Sequence, residues 1–101
     1  MLLIRFLNPA TNSIIMEQEK KLIGKVSHYY GHISVAVVDL TDTLSVGDRI
    51  SIEGSSTNVQ QTVDSMQIEH KEIQTAKKGD SIGLKVSDRV RENDNVYKIM
   101  E

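Results

Sequence analysis

Residues 46–54 decide the fold of this 101-residue chain, and they read Val46-Gly47-Asp48-Arg49-Ile50-Ser51-Ile52-Glu53-Gly54. The stretch combines a Gly-Asp turn, a short strand with apolar residues at alternate positions, and a second turn glycine. Residues 76–86 repeat this order, with another Gly-Asp turn that leads into alternating Ile, Leu and Val. Two Gly-Asp turns that each lead into an alternating strand predict a small antiparallel barrel.

Other segments follow the same period of two. Residues 33–38 are mostly apolar on both sides, which predicts a strand covered on both faces. Residues 59–70 carry apolar residues first on one face and then on the other, so we expect a bulge or bend near Asp64-Ser65. Residues 96–99 predict a last short strand.

Glycines separate or interrupt these strands. Gly31, Gly47, Gly54 and Gly79 fall between apolar runs, where they predict turns. Two others, Gly24 and Gly83, lie inside strand patterns, which is typical of a barrel corner or of a close approach by another backbone.

The predicted fold is therefore all-β: a six-stranded closed Greek-key barrel over residues 20–101, preceded by an N-terminal extension, residues 1–19. Met16 opens a charged run before the patterned domain, so we expect the natural protein to begin there. On that hypothesis residues 1–15 are an upstream extension or a loose tail; the alternative is an extra strand or arm packed on the barrel. An intact mass that includes residues 1–15 would contradict the late start.

Composition sets limits on function. The chain has the size of one domain, a net charge of −2 and no cysteine, which excludes a disulfide framework and a thiolate nucleophile. The lack of cysteine suits a cytoplasmic location. Residues 1–7 are apolar but too few to span a bilayer, and we expect no membrane partner.

The order of these motifs resembles domain II of the translational GTPases, the barrel found in elongation factor Tu. The resemblance covers residues 23–99 and rests on Ile-Gly-x-Val from Ile23, on the patterns at 44–54 and 76–84, and on Asp94-x-Val96. The chain also looks like the small stand-alone translation-factor-like barrels of prokaryotes. Similar barrels occur at the C-terminus of collagenase-like peptidases.

This resemblance implies a binding module that contacts tRNA or ribosomal RNA. The chain lacks the Gly-x-x-x-x-Gly-Lys-Ser/Thr phosphate loop, so we expect no GTP and no other cofactor. The alternative is a protein-interaction domain, for example an accessory domain of a collagenase-like peptidase. No set of acid, base and nucleophile stands out, and we expect that the chain is not an enzyme.

The candidate RNA-binding residues are three cations near one strand end, Lys85, Arg89 and Arg91, together with Tyr29 or Tyr30 for base stacking. Because adjacent strand residues face opposite sides, at most one of the two tyrosines is expected to be buried. Acidic residues alternate with the cations, so a mixed solvated surface is the alternative interpretation. An exposed tyrosine is equally suited to anchor a protein partner.

Two further sets of residues invite a chemical interpretation. His28 and His32, with His70, lack the ligand spacing of a zinc site, so we expect surface histidines and no metal. Asp48 and Asp80 each follow a turn glycine, and we expect them to cap backbone amides rather than to form a paired-carboxylate site.

Overall fold

The chain is built from β-strands throughout the part that the computed structural model describes, namely residues 4–8, 13–17 and 19–100. No helix occurs in these residues. The strands are β1 (Ile4–Asn8), β2 (Ser13–Glu17), β3 (Glu19–Tyr30), β4 (Val35–Leu40), β5 (Leu44–Ser45), β6 (Arg49–Glu53), β7 (Asn58–Thr62), β8 (Met66–Ile68), β9 (Lys71–Ile73), β10 (Thr75–Ala76), β11 (Ser81–Lys85) and β12 (Asn95–Met100).

Eight of these strands form one antiparallel sheet in the order β7-β6-β12-β3-β4-β11-β8-β9. β5 pairs with β10, and β1 pairs with β2, in two separate two-stranded sheets. The twelve-residue β3 lies at the centre, and the register shifts against β4 between Val26 and His28 and against β12 between Val96 and Tyr97. Such irregularities increase the local twist and let the sheet curl around its core.

The all-β prediction is confirmed, but the backbone pairing is that of an eight-stranded antiparallel sheet rather than of six strands. Three strands outside the predicted segments are short: β9, which joins the large sheet, spans three residues, and β5 and β10, which pair with each other, span two residues each. A pattern with a period of two needs about four residues before it indicates a strand, so these pieces carried no signal in the sequence.

β1 and β2 pair in antiparallel register, with Ile4 opposite Glu17. They belong to the proposed extension, residues 1–19. The division of the chain at residue 20 and the natural start at Met16 stay predictions.

One hydrophobic core lies on the inner face of the curled sheet. It is built almost entirely from aliphatic side chains, as expected of a chain with few aromatic residues. Every strand of the large sheet except the edge strand β9 contributes at least one buried residue, and the largest fully buried side chains of the core are Ile23, Leu44, Ile50, Ile52, Met66, Ile82 and Leu84.

Three turns of the described chain share one geometry. In each, an aspartate carboxylate accepts a hydrogen bond from the backbone N–H three residues earlier, and the aspartate N–H donates to the carbonyl of that same residue. The finding confirms that Asp48 and Asp80 cap turn amides. The amide–carboxylate distances are 2.9 Å for Ser45–Asp48, 2.9 Å for Lys77–Asp80 and 2.8 Å for Arg91–Asp94.

The residue before each aspartate has a positive φ: 96° at Gly47, 93° at Gly79 and 73° at Asn93. This is the conformation of the third residue of a type II turn, which glycine adopts without cost and asparagine tolerates. The third turn therefore repeats the first two without a glycine, which is why only two copies are visible in the sequence.

The third aspartate is also built into the fold. Asp94 is buried, and its carbonyl accepts a hydrogen bond from the Val26 amide at 2.9 Å. A Cβ at Gly54 would lie 1.9 Å from Asp94 Oδ1. Gly54, at the end of the stretch 46–54, thus leaves the room that the Asp94 carboxylate of the third turn occupies.

The expected bend near Asp64-Ser65 is confirmed. β7 ends at Thr62 and β8 begins at Met66, and both Val63 and Met66 lie in the core. The chain therefore leaves one strand and begins another between these residues. As a result Val63 and Met66, which one unbroken strand would place on opposite faces, both point into the core.

A side chain bridges β7 to the segment that follows β11. Gln61 Nε2 donates to the Lys85 carbonyl at 2.8 Å, and its Oε1 accepts from the Ser87 N–H at 2.8 Å. One amide thus satisfies both a donor and an acceptor of the neighbouring backbone.

The buried carboxylate should matter more for stability than an exposed one. We expect Asp94→Ala to lower the free energy of unfolding by about 1.5–3 kcal/mol, because the Arg91 amide loses a charged acceptor inside the protein. Asp80→Ala, in the exposed copy of the turn, should cost about 1 kcal/mol or less. Chemical denaturation measures both. Asp64→Ala, at an exposed position between β7 and β8, is the control, and equal losses for all three would contradict this account.

The ion pair between Lys20 and Glu53 predicts a pH dependence. Lys20 Nζ lies 2.6 Å from Glu53 Oε2, which also accepts from Ser51 Oγ at 2.6 Å. Bonding to Lys20 first, and then to Ser51, lowers the pKa of the Glu53 carboxyl below its ordinary 4.5. A lowered folded-state pKa stabilises the fold above pH 4.5, and the gain is lost as pH falls through the folded pKa.

We therefore expect the free energy of unfolding to fall with pH below about 4.5 and Glu53→Gln to flatten that slope. Denaturant titrations from neutral to acid pH measure it. Glu72→Gln, which removes a carboxyl without such bonds, should keep the parent slope. An unchanged slope in Glu53→Gln would contradict the assignment.

Candidate interaction surface

The two adjacent tyrosines near the end of β3 face opposite sides, as the sequence predicts. Tyr29 is half-buried and packs against the core, whereas 51% of Tyr30 is exposed. The Tyr30 ring meets His28 edge to face, with ring centroids 4.3 Å apart. Tyr30 is thus the more exposed of the two tyrosines.

The candidate RNA-binding residues line more than one surface depression. Tyr29, Arg89 and Arg91 line one shallow depression, which they share with the carboxylate-bearing Glu92. Tyr30 lines a different depression. A role of any of these residues in binding stays a prediction.

The third cation, Lys85, is engaged within the protein. Its Nζ donates to the Ile33 carbonyl at 2.7 Å. The Val86 N–H donates to the Ser34 carbonyl at 2.9 Å, and Ser34 has a φ of 54°. These two bonds fix the turn between β3 and β4 in a conformation that non-glycine residues rarely adopt.

That turn leads into an apolar strip on the outer face of the sheet. Residues 33–38 were expected to be covered on both faces, and this is wrong for the outer face. Val35 and Val37 are only half-buried, and 57% of Ile33 is exposed. The inner positions of β4 are buried as predicted, but no element of residues 19–100 packs over the outer ones.

A glycine creates a depression next to this strip. Gly83 in β11 pairs with Val37 on one side and Gln67 on the other, and it presents no side chain to the outer face. The resulting depression has a volume of about 290 Å³. We call it the outer groove; its lining includes Tyr30, Ile33, Val35, Val37, Glu69 and Gly83.

The two glycines inside strands differ in their surroundings. A Cβ at Gly24 would lie 2.8 Å from the Asp39 carbonyl oxygen, which confirms the predicted close backbone approach. A Cβ at Gly83 would meet only ordinary contacts, at 3.4 Å from Val35 Cγ1 and 3.9 Å from the Gln67 carbonyl oxygen. At Gly83 the absent side chain leaves surface space, contrary to that prediction.

The far rim of the outer groove is the turn between β8 and β9. Both of its central residues have positive φ, 51° at Glu69 and 65° at His70. A two-residue hairpin of this kind normally uses Asn-Gly or a similar pair. Glutamate and histidine here hold an unfavourable backbone conformation, and both line the groove.

The histidines show no sign of metal binding. His28 Nδ1 lies 3.4 Å from Glu92 Oε2 at the surface, and His32 and His70 are exposed. Among the described residues, no group of three or more His, Cys, Asp and Glu side chains is placed to hold a metal ion. Within that same part of the chain, no helix is long and apolar enough to cross a membrane.

Comparisons with known proteins identify sequence relatives of this chain. No family model matches the sequence. An uncharacterised protease of Methanocaldococcus jannaschii is 45% identical over 80 residues, which cover 78% of this chain and 20% of the protease. A collagenase of Porphyromonas gingivalis is 31% identical over 83 residues, which cover 80% of this chain and 23% of the collagenase. The chain thus spans about one fifth of the length of these relatives.

Solved structures agree on the fold. The C-terminal domain of a U32 peptidase from Geobacillus thermoleovorans matches with a TM-score of 0.73 at 20% identity, over 77% of this chain and 91% of that domain. Its selenomethionine variant gives a TM-score of 0.72 at 19% identity. At these identities the likeness establishes the fold alone.

These relatives overturn the assignment to the translation factors. The matched sequences are a protease and a collagenase, and the matched structure is a peptidase domain, so the translation-factor and RNA-binding interpretation is wrong. The motifs that carried it are turn glycines, capping aspartates and alternating core residues. They build this kind of sheet whatever the domain binds, and so they specified the architecture and not the family.

The two strand glycines should respond in opposite ways to the same substitution. Gly83→Ala should raise the free energy of unfolding by about 0.5–1 kcal/mol, because alanine loses less conformational entropy and the space is free. Gly24→Ala should lower it by about 1–3 kcal/mol, because the added methyl group collides with backbone. Thermal and denaturant unfolding measure both. A loss of stability in Gly83→Ala would show that the outer groove is not open.

Proposed function

We propose that this chain is a non-catalytic accessory domain that serves a collagenase-like peptidase. The observation that carries the proposal is the 45% identity to an 80-residue segment of a protease. A fold that covers 91% of the C-terminal domain of a U32 peptidase supports it. Together they indicate a segment that recurs as one compact unit within larger peptidases.

An accessory role fits the size of the match. About four fifths of each curated relative lies outside the matched segment, which leaves ample room for a separate catalytic domain. This chain contains no cysteine, and its described histidines lie at the surface rather than in a buried cluster. The features that stand out are instead an exposed tyrosine and an apolar groove, which suit contact with another protein.

The fold also supports a finer proposal, that the large sheet closes into the six-stranded barrel predicted above. β7-β6-β12-β3-β4-β11 are six consecutive strands of the sheet. Gln61 links the first of these strands to the backbone that continues from the sixth. Closure through a side chain would seal the core without a continuous ladder of backbone hydrogen bonds.

We also propose a cytoplasmic location for this protein, because the chain contains no cysteine.

A domain replacement tests the accessory role. The matched 83-residue segment of the Porphyromonas gingivalis collagenase is deleted, or replaced by this full chain, and hydrolysis of collagen is measured. We expect the deletion to lose most of the activity, this chain to restore most of it, and the isolated chain to show none. An unrelated β-domain of similar size serves as the control for simple spacing.

Two results would contradict the proposal. One is collagen hydrolysis by the isolated chain, which would make it an enzyme in its own right. The other is a folded replacement protein that is no more active than the deletion.

A further inference from the structure

We propose that the outer groove is the surface by which this domain docks on the body of the peptidase, through a segment of the peptidase that places an apolar side chain beside a lysine or arginine. The inference rests on the proposed function and adds to it the contact residues and the chemistry of the partner.

The first argument is the concentration of exposed apolar surface. The described residues include three large hydrophobic side chains that are at least half exposed, Leu22, Tyr30 and Ile33. Two of these, Tyr30 and Ile33, line the outer groove together with the half-buried Val35 and Val37. Apolar side chains gathered in a depression are typical of a protein-binding surface, whereas single exposed ones are ordinary.

The second argument is that the backbone that carries Ile33, and the ring of Tyr30, are already held in place. Lys85 Nζ and the Val86 amide fix the carbonyls of Ile33 and Ser34, and the His28 ring packs against Tyr30. A surface ordered before binding loses less conformational entropy when the partner arrives. Ser34 in this turn has an unfavourable positive φ, and residues with such backbone conformations cluster at binding sites.

The third argument is charge. Glu69 lines the groove, and Glu72 lies opposite the lining residue Gln67 on the same face of the sheet. Lys71 precedes Glu72 in β9 and so points to the other face. The carboxylates on the β8–β9 side therefore favour a cation on the partner.

The other charged groups near the outer groove do not cancel that acidic side. The Lys85 ammonium lies on the opposite side, bonded to the Ile33 carbonyl. Asp39 in β4 sits across from Lys25 in β3, and its carboxylate accepts a hydrogen bond from Ser81 Oγ at 2.9 Å. His70 lines the rim next to Glu69. The groove thus has one apolar wall and one acidic wall.

The fourth argument is the space at Gly83. Its empty side-chain position lies between Val37 and Gln67, where the apolar and acidic sides meet. A single large apolar side chain fits this depression, with the cation one or two residues away in reach of Glu69. This is the kind of anchor that carries most of the energy in protein interfaces.

Hydrogen exchange tests the location directly. The full chain is compared free in solution and as the replacement domain within the collagenase. We expect amides of residues 30–37 and 81–85 to exchange about tenfold more slowly in the replacement protein, because docking must open before they exchange. Protection confined to other surfaces, such as β7, would overturn the proposal.

Variants within the replacement protein test the chemistry. Ile33→Asp, Gly83→Leu and Glu69→Lys should each reduce this protection about tenfold, since each removes an anchor, its space or its charge partner. Gln60→Leu, at an exposed position on β7 outside the groove, should change nothing. Gly83→Leu separates docking from folding, because its free-chain stability should not fall. Full protection in Gly83→Leu would contradict the proposal.

The same experiments distinguish the two levels of the account. If this chain fails to restore collagen hydrolysis, the proposed function fails and the docking surface with it. If hydrolysis is restored but the three groove variants behave as Gln60→Leu does, only the docking surface is wrong.

Discussion

An aspartate carboxylate that closes the turn before a strand is the interaction on which the rest of the structure depends. Asp48, Asp80 and Asp94 directly precede β6, β11 and β12, and each accepts the amide three residues earlier. β12 then pairs with both β6 and β3, and β11 pairs with both β4 and β8. Three local bonds thus set the starting points of the strands that join the large sheet together.

The pairing of these strands also explains why apolar side chains are exposed on the outer face of the sheet. Once β4 and β11 are paired, their inner residues enter the core, and their outer residues are left as a strip that nothing in residues 19–100 covers. The carbonyls of Ile33 and Ser34 each accept one hydrogen bond, from Lys85 Nζ and from the Val86 N–H, and these bonds fix the turn at which Ile33 is exposed. A surface of this kind is consistent with a domain that works against a larger protein, as its relatives' lengths suggest.

The sequence predicted what short-range physics controls. Turn glycines, capping aspartates and alternating Ile, Val and Leu were enough for the all-β class, for the bend at Asp64-Ser65 and for the opposite directions of Tyr29 and Tyr30. Strands of two or three residues escaped because they are too short to show a period. The likeness of the third aspartate turn to the two Gly-Asp turns was not visible, because Asn93 takes the place of glycine.

Function was less accessible for a physical reason. Residues that build a barrel are the same in barrels with different partners, so the strongest motifs led to the wrong family. The outer groove depends on strands that are distant in sequence, since Tyr30, Val37, Gly83 and Gln67 meet only through the pairing of β3, β4, β11 and β8. In the sequence, Gly83 indicated only a missing side chain and not the side on which the space lies.

The central claim is that this chain works in contact with a collagenase-like peptidase. The most direct test is photo-cross-linking in cells, with the photoreactive residue p-benzoyl-phenylalanine in place of Tyr30 and, as a control, in place of Gln60. The account predicts that position 30 cross-links to a peptidase of this kind, identified by mass spectrometry, and that position 60 does not. Cross-linking of position 30 to RNA-bound or unrelated proteins, with no peptidase among them, would contradict it.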